Sequence, residues 1–214
     1  MPAARVHLIR HGEVHNPDRV LYGRLPGYRL SDRGERMAQA AADLLVADAR
    51  PIGLLVSSPL ERTQQSAAPI AAAFGLQPVL DARVIEPSNL FEGMRLRGKG
   101  GALRDPGQWL KLRNPARPSW GEPYVDIRER MFGAMIDHLK ATDAGDLVIV
   151  SHQNPIWITH RAVAGLPLMH NAASRRCALS SITSFELTNT GWLEVDYREP
   201  AAALLVGAID LGAV

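Results

Sequence analysis

The sequence contains one cysteine, Cys177, so no internal disulfide can brace the fold, which agrees with a reducing compartment. No neighbouring residue marks that cysteine as a nucleophile, and it reads as an inert thiol. Long apolar runs are also lacking. None approaches the roughly 20 residues needed to cross a bilayer, and the apolar C-terminal stretch ALLVGAIDLGAV is too short, so no membrane partner is expected. His11 stands where the apolar core of a secretory leader would run, and cleavage there would remove what reads as a strand. A cytoplasmic location is expected. Charge of neither sign is in excess: 24 Lys and Arg against 22 Asp and Glu leave +2, too little to argue for nucleic acid. There is no repeat and no low-complexity segment. With 214 residues, 46% of them hydrophobic, the chain suits one α/β domain with an insertion and can bury a core unaided.

Three short apolar runs stand out: VHLI at 6–9, IGLLV at 52–56 and DLVIV at 146–150. They are too short for helices and lack clean alternation, as parallel strands buried on both faces do. Helical segments fall between them. Ser31 is placed to cap a helix through ERMAQAAADLLVAD, Ser58 with Pro59 to open LERTQQSAAPIAAAF, and Asn154 with Pro155 to open IWITHRAVAG. A further helix begins near Pro123, its apolar stripe formed by Ile127, Met131, Met135 and Leu139. Alternating strands and helices predict a three-layer α/β/α sandwich on a mostly parallel sheet.

Each apolar run ends in polar residues: Arg10 and His11, Ser57 and Ser58, Ser151 and His152. In open α/β sheets the binding crevice lies at the carboxyl ends of the strands. Arg10, His11, Arg62 and His152 are therefore expected to converge. Two histidines and two arginines make a poor metal site, because arginine cannot ligate and repels a cation. They suit a phosphoryl group, which a guanidinium holds bidentately and a helix N-terminus supports. A neutral imidazole in that cradle can attack phosphorus and carry the group covalently.

At this point the chain resembles the histidine phosphatase superfamily, in its phosphoglycerate mutase-like branch. The resemblance rests on Arg10-His11-Gly12, followed by Glu13, and on four further segments in order: GRLPGYRLSDRGERMAQA, SSPLERTQQSA with Arg62, VIEPSNLFEG with Glu86, and VSHQNPIW with His152. WGEPYVDIRER and CALSSITSFELTNTGWLEVDY match a later helix entry and the terminal strands. The resemblance implies one domain over 1–214 in which His11 is phosphorylated. Arg10, Arg62 and His152 would bind the transferring group, and Glu86 would protonate the leaving oxygen. It also places Asn16, Gly23 and Arg24 among the phosphate or substrate ligands. Glu92 is read as a bridge between backbone amides. No metal and no organic cofactor is implied.

Three features depart from the pattern. Gln153 follows His152 where the acid phosphatase branch has an aspartate. Asn16 follows His11 by five positions rather than six. The segment 88–121 is long and basic, with Arg95, Arg97, Lys99, Arg104, Lys111, Arg113 and Arg117, and its GKGG at 98–101 allows movement. It is read as an insertion over the active site that selects the substrate. The expected function is a phosphatase acting on a small phosphorylated metabolite. A phosphoglycerate mutase and an idle phospho-ligand-binding module are the alternatives. The tail, 201–214, is expected to pack on the body or, in a homodimer, on a second subunit.

Overall fold

The computed structural model describes residues 4–96, 98, 101–114 and 117–211. Six strands form one sheet: β1 (Arg5–Arg10), β2 (Ile52–Ser57), β3 (Val79–Leu80), β4 (Asp146–Ser151), β5 (Ile182–Thr188) and β6 (Gly191–Arg198), in the order β3-β2-β4-β1-β5-β6. From β3 to β1 all pairings are parallel, while β5 and β6 add on antiparallel. The four α-helices are α1 (Asp32–Ala47), α2 (Glu61–Phe74), α3 (Tyr124–Lys140) and α4 (Gln153–Val163).

The pleat of the central strands divides their side chains between two layers of helix. Val6, Leu8, Leu147 and Ile149 pack with Ile127, Met131, Ile156 and Ile158 of α3 and α4. Ile9, Val148 and Val150 pack with Ala41, Leu45, Ala67 and Ile70 of α1 and α2. Each of the Val, Leu, Ile and Met side chains among these, buried on folding, contributes about 1.5–3 kcal/mol relative to leaving it in water. The three-layer sandwich on a mostly parallel sheet is thus the observed architecture. Among the described residues no helix is long and apolar enough to cross a membrane.

Ser31 caps α1 as its position suggests, its side chain accepting from the Gly34 N–H at 3.0 Å. Two other caps are corrected. Helix α2 starts after Leu60, because the Ser58 hydroxyl is engaged by His152 instead. Helix α4 starts after His152, leaving Asn154 inside its first turn. His7 points into the fold, where it meets Ser184 and Asp146.

The insertion is tied at its base by a bridge between Asn89 and Gly121. Its Phe91 and Ala102 bury against Leu21, with Met94, Leu112 and Trp120 around them, so the insertion and the loop bearing Leu21 pack as one body. Arg97 of the basic insertion, and Lys99 and Gly100 of the expected mobile stretch, lie outside the described residues. Among the described residues of the tail, Ala201, Leu204, Leu205 and Ala208 lie against Met37 and Leu179 of the chain's own body.

Candidate active site

Strand β1 delivers Arg10 and His11 at its carboxyl end, where the His11 N–H donates to Ser151 O of neighbouring β4 at 3.1 Å. Gly12 follows because helix α1 crosses directly over it. A Cβ on Gly12 would lie 2.3 Å from Gly34 O, and one on Gly34 would lie 2.0 Å from Glu13 O. Only two glycines let the helix approach this closely. The Gly12 N–H also donates to Ser66 Oγ of α2 at 3.1 Å, so both helices on this face fix the loop after His11.

His11 Nδ1 donates to Gly12 O at 2.7 Å, which leaves the Nε2 lone pair free of a proton. Burial, and then the charges of Arg62 and Arg10, hold its pKa well below the ordinary 6.5, so the imidazole is neutral near pH 7. Its ring centroid lies 5.3 Å from that of His152. His152 is kept neutral by the same burial and by Arg62. Arg62 can only donate, so its 3.3 Å contact makes His152 Nδ1 an acceptor and directs Nε2–H to Ser58 Oγ at 2.8 Å.

Arg62 sits in the first turn of α2, its guanidinium 4.8 Å above the Tyr22 ring and its Nη2 donating to Gly23 O at 2.7 Å. Its Nε and that of Arg10 are buried with no hydrogen-bond partner, as is Glu86 Oε1. Buried polar atoms are ordinarily hydrogen-bonded, and two of these three, on Arg10 and Glu86, belong to residues that line one small cavity. Arg10, His11, Tyr22, Glu86, Gln153 and Leu211 line that cavity.

Glu86 reaches the site from the segment after β3. Ser151 Oγ holds that segment by donating to Val84 O at 2.7 Å, and Arg24 Nε does so by donating to Glu86 O at 2.5 Å. Its side chain is 7% exposed, and its carboxylate lies 3.6 Å from His152 Nδ1. Burial raises its pKa above the ordinary 4.5, opposed by Arg62, Arg175 and Arg10. A carboxyl in that environment favours its protonated form.

The structure brings Arg10, His11, Arg62, Glu86 and His152 together, with Gly23 on the wall of the same cavity, while Asn16 and Arg24 make other contacts. Asn16 closes its own loop, donating to Val20 O at 2.8 Å and accepting from Val20 N at 3.2 Å. Gly23 holds a left-handed φ of +41°, and its carbonyl serves Arg62. Arg24 braces the backbone of Glu86 and reaches Glu122 at 3.3 Å. Glu92 accepts from the N–H groups of Arg24 and Asn89, at 3.1 and 3.2 Å. Cys177 is buried, its thiol pushed up to about 11 by that burial. Ser58, Tyr22 and Arg175 are site residues that sequence reasoning missed. Tyr22 had a signal, its place in the loop just before Gly23, whereas Arg175 had none.

The histidine phosphatase superfamily (branch 1) model matches residues 6–200, and the chain belongs to that superfamily. Its relatives include the uncharacterized protein Rv0525 of Mycobacterium tuberculosis (strain ATCC 25618 / H37Rv), 49% identical over 92% of this chain and 97% of that one. The probable phosphoglycerate mutase GpmB of Enterobacter sp. (strain 638) is 30% identical over 88% of this chain and 87% of its own. Among solved structures, mycobacterial glucosyl-3-phosphoglycerate phosphatase Rv2419c, in complex with inorganic phosphate, superposes with a TM-score of 0.73 at 26% identity, covering 94% of this chain and all of that one.

Proposed function

We propose that the chain is a phosphomonoesterase that works through a phosphohistidine on His11. The observation that carries the reading is the state of His11: neutral, its Nδ1 proton committed to Gly12 O, its Nε2 free, and Arg10, Arg62 and Glu86 around it. His11 Nε2 attacks phosphorus, the ester P–O bond breaks, and the departing oxygen takes the Glu86 proton. Water then attacks the phosphohistidine, gives a proton to Glu86 and releases phosphate, which restores both groups. Arg10 and Arg62 oppose the charge on the phosphoryl oxygens in both transition states, where positioning and electrostatics supply most of the rate.

The rest of the substrate would extend under the insertion past Asn89, Trp120, Glu122, Tyr124 and Asn154, whose cavity of about 10 Å³ would have to open to admit it. The Oδ1 of Asn154 is buried there without a partner and suits a hydroxyl or amide donor. The structural neighbour Rv2419c is a glucosyl-3-phosphoglycerate phosphatase, and it supports the same reaction class here. The likeness to the mutase GpmB favours a second reading, return of the phosphoryl group to bound phosphoglycerate.

Both readings are tested by assaying an aryl phosphate with wild type and His11→Ala in the presence of a chelator, then 3-phosphoglycerate with a trace of 2,3-bisphosphoglycerate. The expected outcome is phosphate release by wild type, none by the variant, and no isomerisation. Isomerisation exceeding hydrolysis would establish the mutase. Equal rates for wild type and His11→Ala would remove His11 from the chemistry.

A further inference from the structure

The tail turns at Gly207, whose φ is +73°, and comes back across the mouth of the site. There the Ile209 N–H donates to Glu13 Oε1 at 2.7 Å. Asp210 sets its two carboxylate oxygens 2.8 Å from Arg10 Nη1 and 2.5 Å from Arg10 Nη2. Leu211 joins the wall of the cavity that holds His11 and Glu86. Arg10 Nη1 also donates to Cys177 O at 2.6 Å, so both terminal nitrogens of the guanidinium are occupied from within the chain.

We propose that Ile209–Leu211 is a self-inhibitory strap, in which the Asp210 carboxylate occupies Arg10 in place of the substrate's phosphoryl group and withdraws when that group arrives. The proposal rests on the reading of Arg10 as a phosphoryl ligand. A carboxylate on a guanidinium fork offers the same two oxygens, with the same sign of charge, as one edge of a phosphate.

Three observations lead to displacement rather than a permanent clamp. The cavity beneath the strap is about 20 Å³, room for about one water and far too little for a phosphate ester, so one wall has to move. Of the walls, β1 and the Glu86 segment are core, whereas the strap lies at the surface: the Asp210 side chain is 38% exposed and nearby Val206 84% exposed. Charge is the third observation, since a phosphoryl dianion and a carboxylate repel each other if they share one guanidinium. Because the strap is tethered, its effective concentration at Arg10 is high, and apparent phosphate affinity falls by the fraction of molecules in which it is docked.

The test is the calorimetric affinity for inorganic phosphate of the wild type, of Asp210→Asn, and of a chain ending at Ala208, which keeps the apolar anchor of the tail. Arg10→Ala and Arg62→Ala serve as controls, and cooperative melting of every variant is checked first. The expected result is phosphate binding about 5- to 150-fold tighter in Asp210→Asn and in the shortened chain, with a matching fall in KM for an aryl phosphate. Binding unchanged or weakened in both, while the two arginine variants lose it, would overturn the strap and make Asp210 a residue that positions Arg10. Binding that neither arginine variant weakens would overturn the phosphate cradle itself.

Discussion

At Glu86 burial and catalysis act on the same proton. Its folded pKa lies above the ordinary 4.5, chiefly through burial. A carboxyl raised in this way gives its full stability below the ordinary pKa, and that stability is lost as pH rises through the folded value. Glu86→Gln should therefore melt above wild type at pH 8, by about 2–4 °C for each kcal/mol relieved, and the gap should close towards pH 4. The same variant should lose about 10²- to 10⁴-fold in kcat/KM on an alkyl phosphate and much less in kcat/KM on 4-nitrophenyl phosphate, whose leaving group needs little protonation. Its kcat should fall on both, because hydrolysis of the phosphohistidine also uses Glu86. In wild type, kcat/KM should fall on the alkaline side as Glu86 ionises. Its acid limb should lie below pH 6.5, because His11 resists protonation. An alkaline limb that persists unchanged in Glu86→Gln would assign the proton to another group.

At the scale of elements, the site depends on how closely α1 approaches the loop after β1. Gly12→Ala would set a methyl group 2.3 Å from Gly34 O, a backbone atom that cannot turn aside. Overpacking of this kind costs about 1–3 kcal/mol, a fall of roughly 2–12 °C in melting temperature. Since Gly12 O also fixes the His11 tautomer, kcat should drop in protein that is still folded; a lower melting point with unchanged kcat would separate the contact from the chemistry. Elements of this sort were legible because their signals are local. Ser31 caps α1 from three residues away, and the apolar run 146–150 is a strand that packs helices on both faces. Ser58 and Asn154 look like caps by the same local rules. Ser58, however, is claimed by His152, 94 residues further on, and no periodicity records that. The pairing of Arg10 with Asp210 spans 200 residues, and the tail reads only as apolar.

Across the whole molecule the two ends of the sheet have different tasks, the carboxyl end holding the cradle and the amino end holding a buried ion cluster. Asp146 at the start of β4 accepts from Arg5 N at 2.8 Å, from Arg50 Nε and Nη2 at 2.6 and 2.8 Å, and faces His7 Nε2 at 3.2 Å. His7 Nδ1 in turn meets Ser184 Oγ at 2.8 Å. A serine, a histidine and an aspartate in a row are the residue types of a hydrolytic triad, but none of the three is more than 1% exposed, so substrate does not reach the hydroxyl. Their role is cohesion, joining β1, β4, β5 and the end of the loop after α1. Burial alone would raise the Asp146 pKa, but Arg50, His7 and the Arg5 amide together hold it below the ordinary 3.8. For a depressed carboxylate the stability is present above the ordinary pKa and is lost as pH falls through the folded value. Asp146→Ala leaves buried donors without their acceptor and should cost about 3–5 kcal/mol, or roughly 6–20 °C in melting temperature at pH 7, with the difference from wild type narrowing below pH 4. At a temperature where both remain folded, the variant should keep wild-type phosphate affinity and kcat, since its defect lies at the opposite end of the strands that carry His11 and His152. A variant that melts like wild type yet loses kcat would mean instead that the cluster positions those histidines through β1 and β4.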